Sequence, residues 1–546
     1  MPIVTTYPGV YIEELPSPVR TIVGVATSIT AFVGTALKGP IDRAELIHSF
    51  PDYYRIYGDV WSGSNMSYAV YQYFLNGGQD AVILRIAGAG RAPASVDVKD
   101  QNAQHVLFTL KASSPGTWAN NKLKISIDTD DINKNGDNTV FKLIVNLWND
   151  ATPSQIIQNE VFPNLSTDLK SPRIVTTVLA QESQLVVVDG TVQQQGQPGS
   201  TKDPQTKKDI PLSLTSGVDG SAPTFNEFKG SPGDPQNSNV PKTGKYLLDD
   251  VDIFNMLCIP PFEADQNNNP KDDTSAAIYS DALTYFTDRK RRAIIIVDPP
   301  IEWNNKDVPQ DPTNGVDGSA GLVPDRSAGQ NAAIFFPRIL AADPNLEGRL
   351  RKFVPCGAIA GVIATTDTNR GIWKAPAGIE ATLAGVSDLS VHLTDSENGE
   401  LNPLGINCLR IMPGGIGRVV WGSRTMRGAD RLADQWKYLP VRRTALYIEE
   451  SLYRGTQWVV FEPNDYRLWS QIRLNVGDFM QDLFRQGAFQ GSDPKKAYFV
   501  KCDETTTTQY DIDRGIVNIV VGFAPLKPAE FVILQIQQIA SQEEGA

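Results

Sequence analysis

Asp131, Asn133 and Asn135, followed by Gly136, are spaced like the first half of a calcium-binding loop, with oxygen ligands at positions one, three and five and glycine at six. Position twelve, where a bidentate glutamate closes such a site, is Lys142, a cation that would repel the metal. The segment therefore reads as a hairpin turn. His48, His105 and His392 are the three histidines of the chain and sit in unrelated contexts. A catalytic or metal constellation gathers several such groups, and nothing in the spacing gathers these. There is no GxxxxGK[ST] phosphate loop and no GxSxG elbow. Gly414-Gly-Ile-Gly starts like a dinucleotide loop, but Val420 stands where the last glycine belongs, so it too reads as a turn. Asp249-Asp250 and Glu449-Glu450 are adjacent carboxylates, which point apart on a helix or strand and read as solvated faces. Cys258, Cys356, Cys408 and Cys502 are far apart, with no CxxC pair. That pattern gives neither a zinc ligand set nor a disulfide framework, and buried thiols are expected. The expectation is no catalytic residue, no cofactor and no metal.

The elements around these residues belong to a chain of 546 residues, enough for three or four domains of about 100–200 residues each. Hydrophobic residues at 41% and charged residues at 21% are ordinary globular values, and 44 glycines with 37 prolines favour strands and turns over a helical bundle. A net charge of −12 argues against nucleic acid or an anionic membrane as the main partner. The N-terminus has neither the basic nor the apolar region of a secretory signal, and no apolar stretch approaches the roughly 18 residues a spanning helix needs.

Residues 1–25 read as extended, because Pro2, Pro8, Pro16 and Pro18 interrupt any helix. Val10 to Glu14 is a short strand whose partner must come from elsewhere in its own domain or from another chain. Ile22 to Gly34 predicts a buried strand, Asp52–Tyr57 and Tyr68–Leu75 helices, and Ala81–Ile86 a second strand, an α/β order. Between 90 and 245, Leu123–Ile127 and Val140–Trp148 alternate across a polar turn as a hairpin. Gln193–Lys208 and Gly230–Gly244 read as loops. The rhythm resumes with strands at 251–260, 292–298 and 332–336 and a helix over 275–289. Leu468, Ile472, Val476, Phe479 and Leu483 form one stripe of an amphipathic helix. Strands follow at 497–501, 516–523 and, after Pro525 and Pro528, at Glu530–Ile536.

Blocks at both ends resemble the contractile tail sheath family of bacteriophages and related injection systems. At the front stand Tyr7-Pro-Gly-Val-Tyr-Ile-Glu-Glu, Gly24 to Gly34, Gly39-Pro40, Ser49–Gly58 and Tyr68 to Asn76-Gly-Gly. Gly217-Val-Asp-Gly and Leu247–Pro261 are similar to its middle section. The denser agreement includes Val420–Thr425, Trp436–Arg443, Tyr447–Glu450, Trp458-Val-Val-Phe-Glu-Pro-Asn464, Gly487-Ala-Phe, Ala497–Asp503 and Val521–Phe531.

The resemblance implies a multidomain α/β fold of mixed α+β character. An inner core built from both chain ends would carry terminal β-strand arms, and a β-rich outer domain would be inserted into it. The expected division is an arm at 1–25, first core part 26–90, variable insertion 91–245, middle domain 246–400, C-terminal core 401–515 and C-terminal arm 516–546. It also implies a structural subunit, not an enzyme, that polymerises as stacked hexameric rings around an inner tube and contracts to drive the tube through an envelope. Tyr7, Val10, Tyr11, Ile12 and Glu13 would form one inter-subunit arm, and Phe531, Val532, Ile533, Leu534 and Ile536 the other. Pro16, Pro18, Pro525 and Pro528 would be hinges, and Arg467, Arg473 and Arg485 would face the tube. Expected partners are further copies of the chain, the tube protein, baseplate and cap proteins and paralogous sheath proteins, with no direct nucleic-acid contact and no membrane insertion. Assembly would take place in a bacterial cytoplasm, within a phage tail or an injection particle released by lysis. A non-contractile fibre or shell built by the same strand exchange is the alternative.

Overall fold

Thr30-Ala-Phe-Val-Gly34 lacks any polar alternation, and it forms a strand (β1, Thr30–Gly34) buried along its whole length. That is the pattern of a sheet covered on both faces. The computed structural model describes residues 20–129, 139–149, 154–203, 205–206, 208–237, 239–265, 270–304 and 328–535. These fall into two compact units, the larger made of Ala26–Thr365 and Pro376–Asp434.

In this larger unit β1 is followed by β2 (Glu45–Ile47), α1 (Phe50–Tyr57), α2 (Asn65–Leu75) and β3 (Ala81–Arg85). Ser49 and Ser64 cap the two helices, accepting the N–H of Asp52 and Ser67. Asn76 and Gly77, with φ of +90°, end α2 as the sequence predicts. The insertion then contributes β4 (Ser95–Lys99), β5 (Val106–Ala112), β6 (Leu123–Asp128), β7 (Val140–Trp148), β8 (Ile156–Ser166), α3 (Val175–Glu182), β9 (Val186–Val188), β10 (Leu212–Ser213) and α4 (Phe225–Lys229). The hairpin at 123–148 is there, Leu123 opposite Leu147. Two antiparallel sheets, β10-β6-β7-β8 and β4-β5-β9, share one core that includes Phe108, Phe141, Val145 and Leu165.

The chain re-enters the main sheet with β11 (Met256–Cys258), α5 (Ala276–Asp288), β12 (Ile294–Val297) and β13 (Ala332–Phe336). A small sheet of β14 (Ile339–Ala342), β15 (Leu350–Phe353) and β16 (Asp388–Leu389) flanks the long helix α6 (Cys356–Arg370). After α7 (Asp395–Leu401) come β17 (Asn407–Met412) and β18 (Gly417–Val420), joined by Gly414 and Gly415 at positive φ, so the glycine cluster is a hairpin turn. The main sheet has eight strands in the order β18-β17-β13-β12-β11-β1-β3-β2, parallel except for β2 and β18 at its edges. Residues 407–420 are thus strands of this sheet, and the other unit resumes at Gln435.

The second unit gathers the described residues 20–25, Thr366–Ala375 and everything from Gln435 onward. Of the strand expected over Ile22–Gly34, only Thr30–Gly34 pairs, because Ile22 packs instead into the core of this unit. The helices α8 (Leu439–Gly455), α9 (Tyr466–Arg485), the short α10 (Pro494–Ala497) and α11 (Gln509–Asp513) surround β19 (Tyr498–Lys501) and β20 (Val520–Phe523). Asp465 caps α9 by accepting from Arg467 and Leu468 N–H, and the predicted stripe Leu468, Ile472, Val476, Phe479 and Leu483 is buried.

Candidate functional site

The chemistry-bearing residues are placed singly. His48, His105 and His392 are exposed and each meets one carboxylate, Asp80 at 2.7 Å, Asp100 at 3.1 Å and Asp388 at 2.8 Å. Among the described residues no group of three or more histidine, cysteine or carboxylate side chains is arranged to hold a metal. Residues 131–136, with their half calcium loop, lie outside the described residues, while Lys142 sits on β7. All four cysteines are free and buried, and burial pushes each thiol up, Cys408 to about 12 and Cys502 to about 11. Such thiols are poor nucleophiles.

One buried cluster was not visible in the sequence. Asp298, just past β12, accepts the N–H of Cys356 at the start of α6 (3.0 Å), and the Cys258 thiol donates to the Cys356 carbonyl (3.6 Å). Burial pushes the Asp298 carboxyl up to about 7. The carboxylate acts as a cap brought in from another strand, at a helix end that favours negative charge. A cleft of about 340 Å³ opens where β1, β3 and β11 end, lined by Thr35, Ile86 and Pro261 among others. Its most buried cation, Arg85, is spent on the carbonyls of Ala36 (3.1 Å), Gly39 (2.7 Å) and Pro115 (3.1 Å). Asp219 of the Gly217-Val-Asp-Gly segment, also in the lining, caps Thr117 at 2.8 Å. These groups stabilise loops.

The second unit presents a different arrangement. β19 and β20 pair antiparallel, Tyr498 with Phe523 through Lys501 with Val520, and among the described residues form a sheet of two strands. One face, with Tyr498, Val500, Val521 and Phe523, packs toward the α9 core. On the other, Phe499 is 48% and Val520 43% exposed. Beyond β20, Pro525 makes a bridge with Phe489, and Glu530 meets Tyr438 Oη at 3.3 Å and Lys437 at 4.0 Å. After that anchor Phe531, Val532, Ile533 and Leu534 are 75%, 79%, 83% and 82% exposed and carry no strand pairing among the described residues. Four consecutive large apolar residues at that exposure are a strand sequence lacking a partner. Ile536 lies outside the described residues, as do Tyr7, Val10, Tyr11, Ile12, Glu13, Pro16 and Pro18 of the front arm.

The root of the front arm is described. The Arg20 N–H donates to Asn475 on α9 (3.0 Å) and its guanidinium lies 4.6 Å over Trp458. Val25 N–H donates to Ser451 (3.2 Å), and Gly24 and Gly455 allow the close approach, since a Cβ on either would overlap Tyr447 or Ile22. Both chain ends therefore leave from the same compact unit. A buried ion pair braces it, Arg443 to Asp367 at 2.8 and 2.6 Å, both side chains 2% exposed.

The three arginines differ. Arg467 and Arg485, eighteen residues apart, lie on one exposed line of α9, Arg467 against the Tyr466 hydroxyl (3.2 Å) and Arg485 beside Asp482 (3.5 Å). Arg473 turns from that line and donates to the Cys502 carbonyl and to Ser470 (3.0 Å).

Among the described residues no helix is long and apolar enough to cross a membrane. No curated protein sequence matches the chain. Solved structures do match it. The helical sheath of the anti-feeding prophage in its contracted state is 24% identical, with 98% of this chain and 100% of that one covered and a TM-score of 0.55. The sheath complex of the extracellular contractile injection system PVC, also contracted, is 21% identical over 98% of both chains, TM-score 0.53. A sheath tail protein of Listeria innocua is 13% identical, covering 93% of this chain and 96% of its own, TM-score 0.56. These likenesses establish the fold, and residues 433–539 match the family model described as the phage tail sheath C-terminal domain. This chain has the fold of contractile sheath proteins, and its residues 433–539 are similar to the phage tail sheath C-terminal domain.

Proposed function

We propose that this chain is a structural subunit of a contractile tail sheath, working by polymerisation and repacking with no catalytic step. The observation that carries the reading is the presence, in one compact unit, of a two-stranded sheet and an exposed apolar C-terminal run without a strand partner among the described residues. Strand addition between copies satisfies both at once: main-chain hydrogen bonds give strength, and alternate side chains give register. Phe531 and Ile533 would fall on one face of the added strand and Val532 and Leu534 on the other. Tyr7, Val10, Tyr11, Ile12 and Glu13 would form the second arm, hinged at Pro16 and Pro18 and rooted at Arg20. On the other side Pro525 and Pro528 would set the exit angle, with Glu530 tethered by Tyr438 and Lys437.

In this reading copies stack as hexameric rings around an inner tube, held in an extended packing by a baseplate. Release lets the subunits turn outward and bury more surface, a switch between two packings of one polymer. The arms keep the lattice connected meanwhile. Arg467 and Arg485 are the better candidates to meet an acidic tube, through exposed contacts weak enough to break; Arg473 is tied internally. The 91–245 insertion would be the outer domain, and the particle, a phage tail or injection device, would be assembled in a bacterial cytoplasm with its tube, baseplate and cap. Electron microscopy of purified assemblies tests this. Tubes of two lengths and diameters are expected, and a single fixed form would indicate a non-contractile fibre instead.

A further inference from the structure

Phe461 combines two unfavourable features. Its side chain is 102% exposed, and its backbone sits at φ +70°, a left-handed conformation that bulky residues avoid. Its neighbour Val460 is 59% exposed. The surrounding frame imposes this shape. On one side Trp458 and Val459 pack against the core of the second unit, and Val460 N–H donates to the Gln457 carbonyl (3.3 Å). On the other, Glu462 N–H closes back on Val459 (3.2 Å), while Asn464 accepts from the Trp469 indole (2.9 Å) and donates to the Ile516 carbonyl (3.0 Å). The last bond ties the loop to the segment that enters β20. An apolar knob held out by a rigid clamp, at a cost to the isolated chain, is a feature the fold itself does not use.

We infer that Phe461 is a preformed docking knob for the C-terminal run of a second copy of this chain. This rests on the sheath reading above and adds the residue that decides how the incoming strand seats. Two facts favour this occupant. The Asn464–Ile516 bond holds the loop that carries the knob against the segment leading into β20, a strand that among the described residues pairs with β19 alone. The chain also displays the complementary element, Phe531–Leu534, so a copy-to-copy contact covers an aromatic knob and an apolar run together, as a heterologous interface does.

The test uses the full chain and three variants: Phe461→Gly, Phe461→Leu and a truncation after Glu530. Phe461→Gly relieves the left-handed backbone, so its thermal midpoint should equal or exceed that of the unaltered chain. The concentration needed for polymerisation should rise about tenfold or more, as for loss of an aromatic anchor. Phe461→Leu should recover part of it. A photo-crosslinking p-benzoylphenylalanine at 461 should join to residues 531–534 of another copy. Assembly of Phe461→Gly at the unaltered concentration, or crosslinking only to the tube protein, overturns the knob while a non-assembling truncation keeps the sheath reading. A truncation that polymerises normally overturns the arm exchange itself, and the knob with it.

Discussion

The eight-stranded sheet and the two-stranded sheet use similar apolar strands and finish them in opposite ways. In the larger unit the edges are closed or short: Gly378 and Leu383 N–H groups bond the outer side of β18 at 2.9 Å each, and β2 at the far edge has only three residues. Covered faces and blunted edges make that sheet complete within one chain. In the second unit β19 and β20 stand, among the described residues, as a pair, which is marginal for stability without further cover. One of its faces packs on the core that α9 shares with α8 and Phe489. An apolar run leaves its exposed end unsatisfied. Completeness in one region and deficit in the other divide the labour in the proposed sheath: the first is complete within one chain, and the second would be finished by other copies.

The sharpest way to break that contrast is to remove the deficit. Truncation after Glu530 is expected to abolish polymers, read by sedimentation velocity and electron microscopy. Amide hydrogen exchange in β1, β3 and β11–β13 should stay unchanged, because no described residue beyond 530 is buried in their core. Faster exchange in those strands would mean that the C-terminal run supports the larger unit.

Periodicity explains why some of this was legible in advance. The α9 stripe, the β6–β7 hairpin and the all-apolar strands β1, β12 and β13 each announce a burial pattern through side-chain type alone. The C-terminal run was legible as a strand sequence, and the single chain leaves it unpaired because a strand needs a partner that composition cannot supply. The failures are long-range. Ile22–Val25 has strand composition, but Gly24 and Gly455 let it dock on α8, a close approach no local pattern encodes. Asp298 reads as the polar end of a strand, and only the fold brings Cys356 and Cys258 to it. Arg473 falls off the apolar stripe and so resembles Arg467, yet the carbonyl of Cys502 claims it. Phe461 lies within residues 433–539, which match the sheath C-terminal family model, and its strain shows only in backbone angles.

Within the second unit the largest single-residue loss should come from the Arg443–Asp367 pair. Asp367→Ala removes the carboxylate that pairs with the buried Arg443 guanidinium, a change that costs about 3–5 kcal/mol. Exchange in α8 and α9 should accelerate strongly, with the parallel strands less affected. Equal acceleration in both regions would show that the ion pair braces more than its own unit.

The larger unit has its own sensitive group. Between pH 4 and about 7 the Asp298 carboxyl is ionised in the unfolded chain but protonated where it is buried, so the folded state holds the extra proton. Stability of this unit should therefore be greatest below pH 4, as far as this group is concerned. It should fall as pH rises through that window and level off above it, by an amount on the order of 4 kcal/mol. Tyr279, Cys258, Cys356, Arg338 and Asp273 surround the group and modulate the slope. Asp298→Asn should flatten it, measured by denaturant unfolding at several pH values. An unchanged slope would assign the pH dependence to other carboxylates.

The smallest effect probes the root of the front arm. A methyl group at residue 24 would overlap the Tyr447 hydroxyl, so Gly24→Ala should loosen residues 20–25 from α8 at a cost of about 1–3 kcal/mol. Tyr447→Phe removes the obstructing oxygen, and the double variant should regain much of the loss, a coupling that a double-mutant cycle reads directly. If the two changes simply add, the glycine serves backbone freedom and the close approach is incidental. If they couple and polymerisation weakens only in the single variant, the arm needs a fixed root as well as a free end. The deficit of the second unit would then lie in its outgoing strands, while the frame that launches them is as firmly packed as the larger sheet.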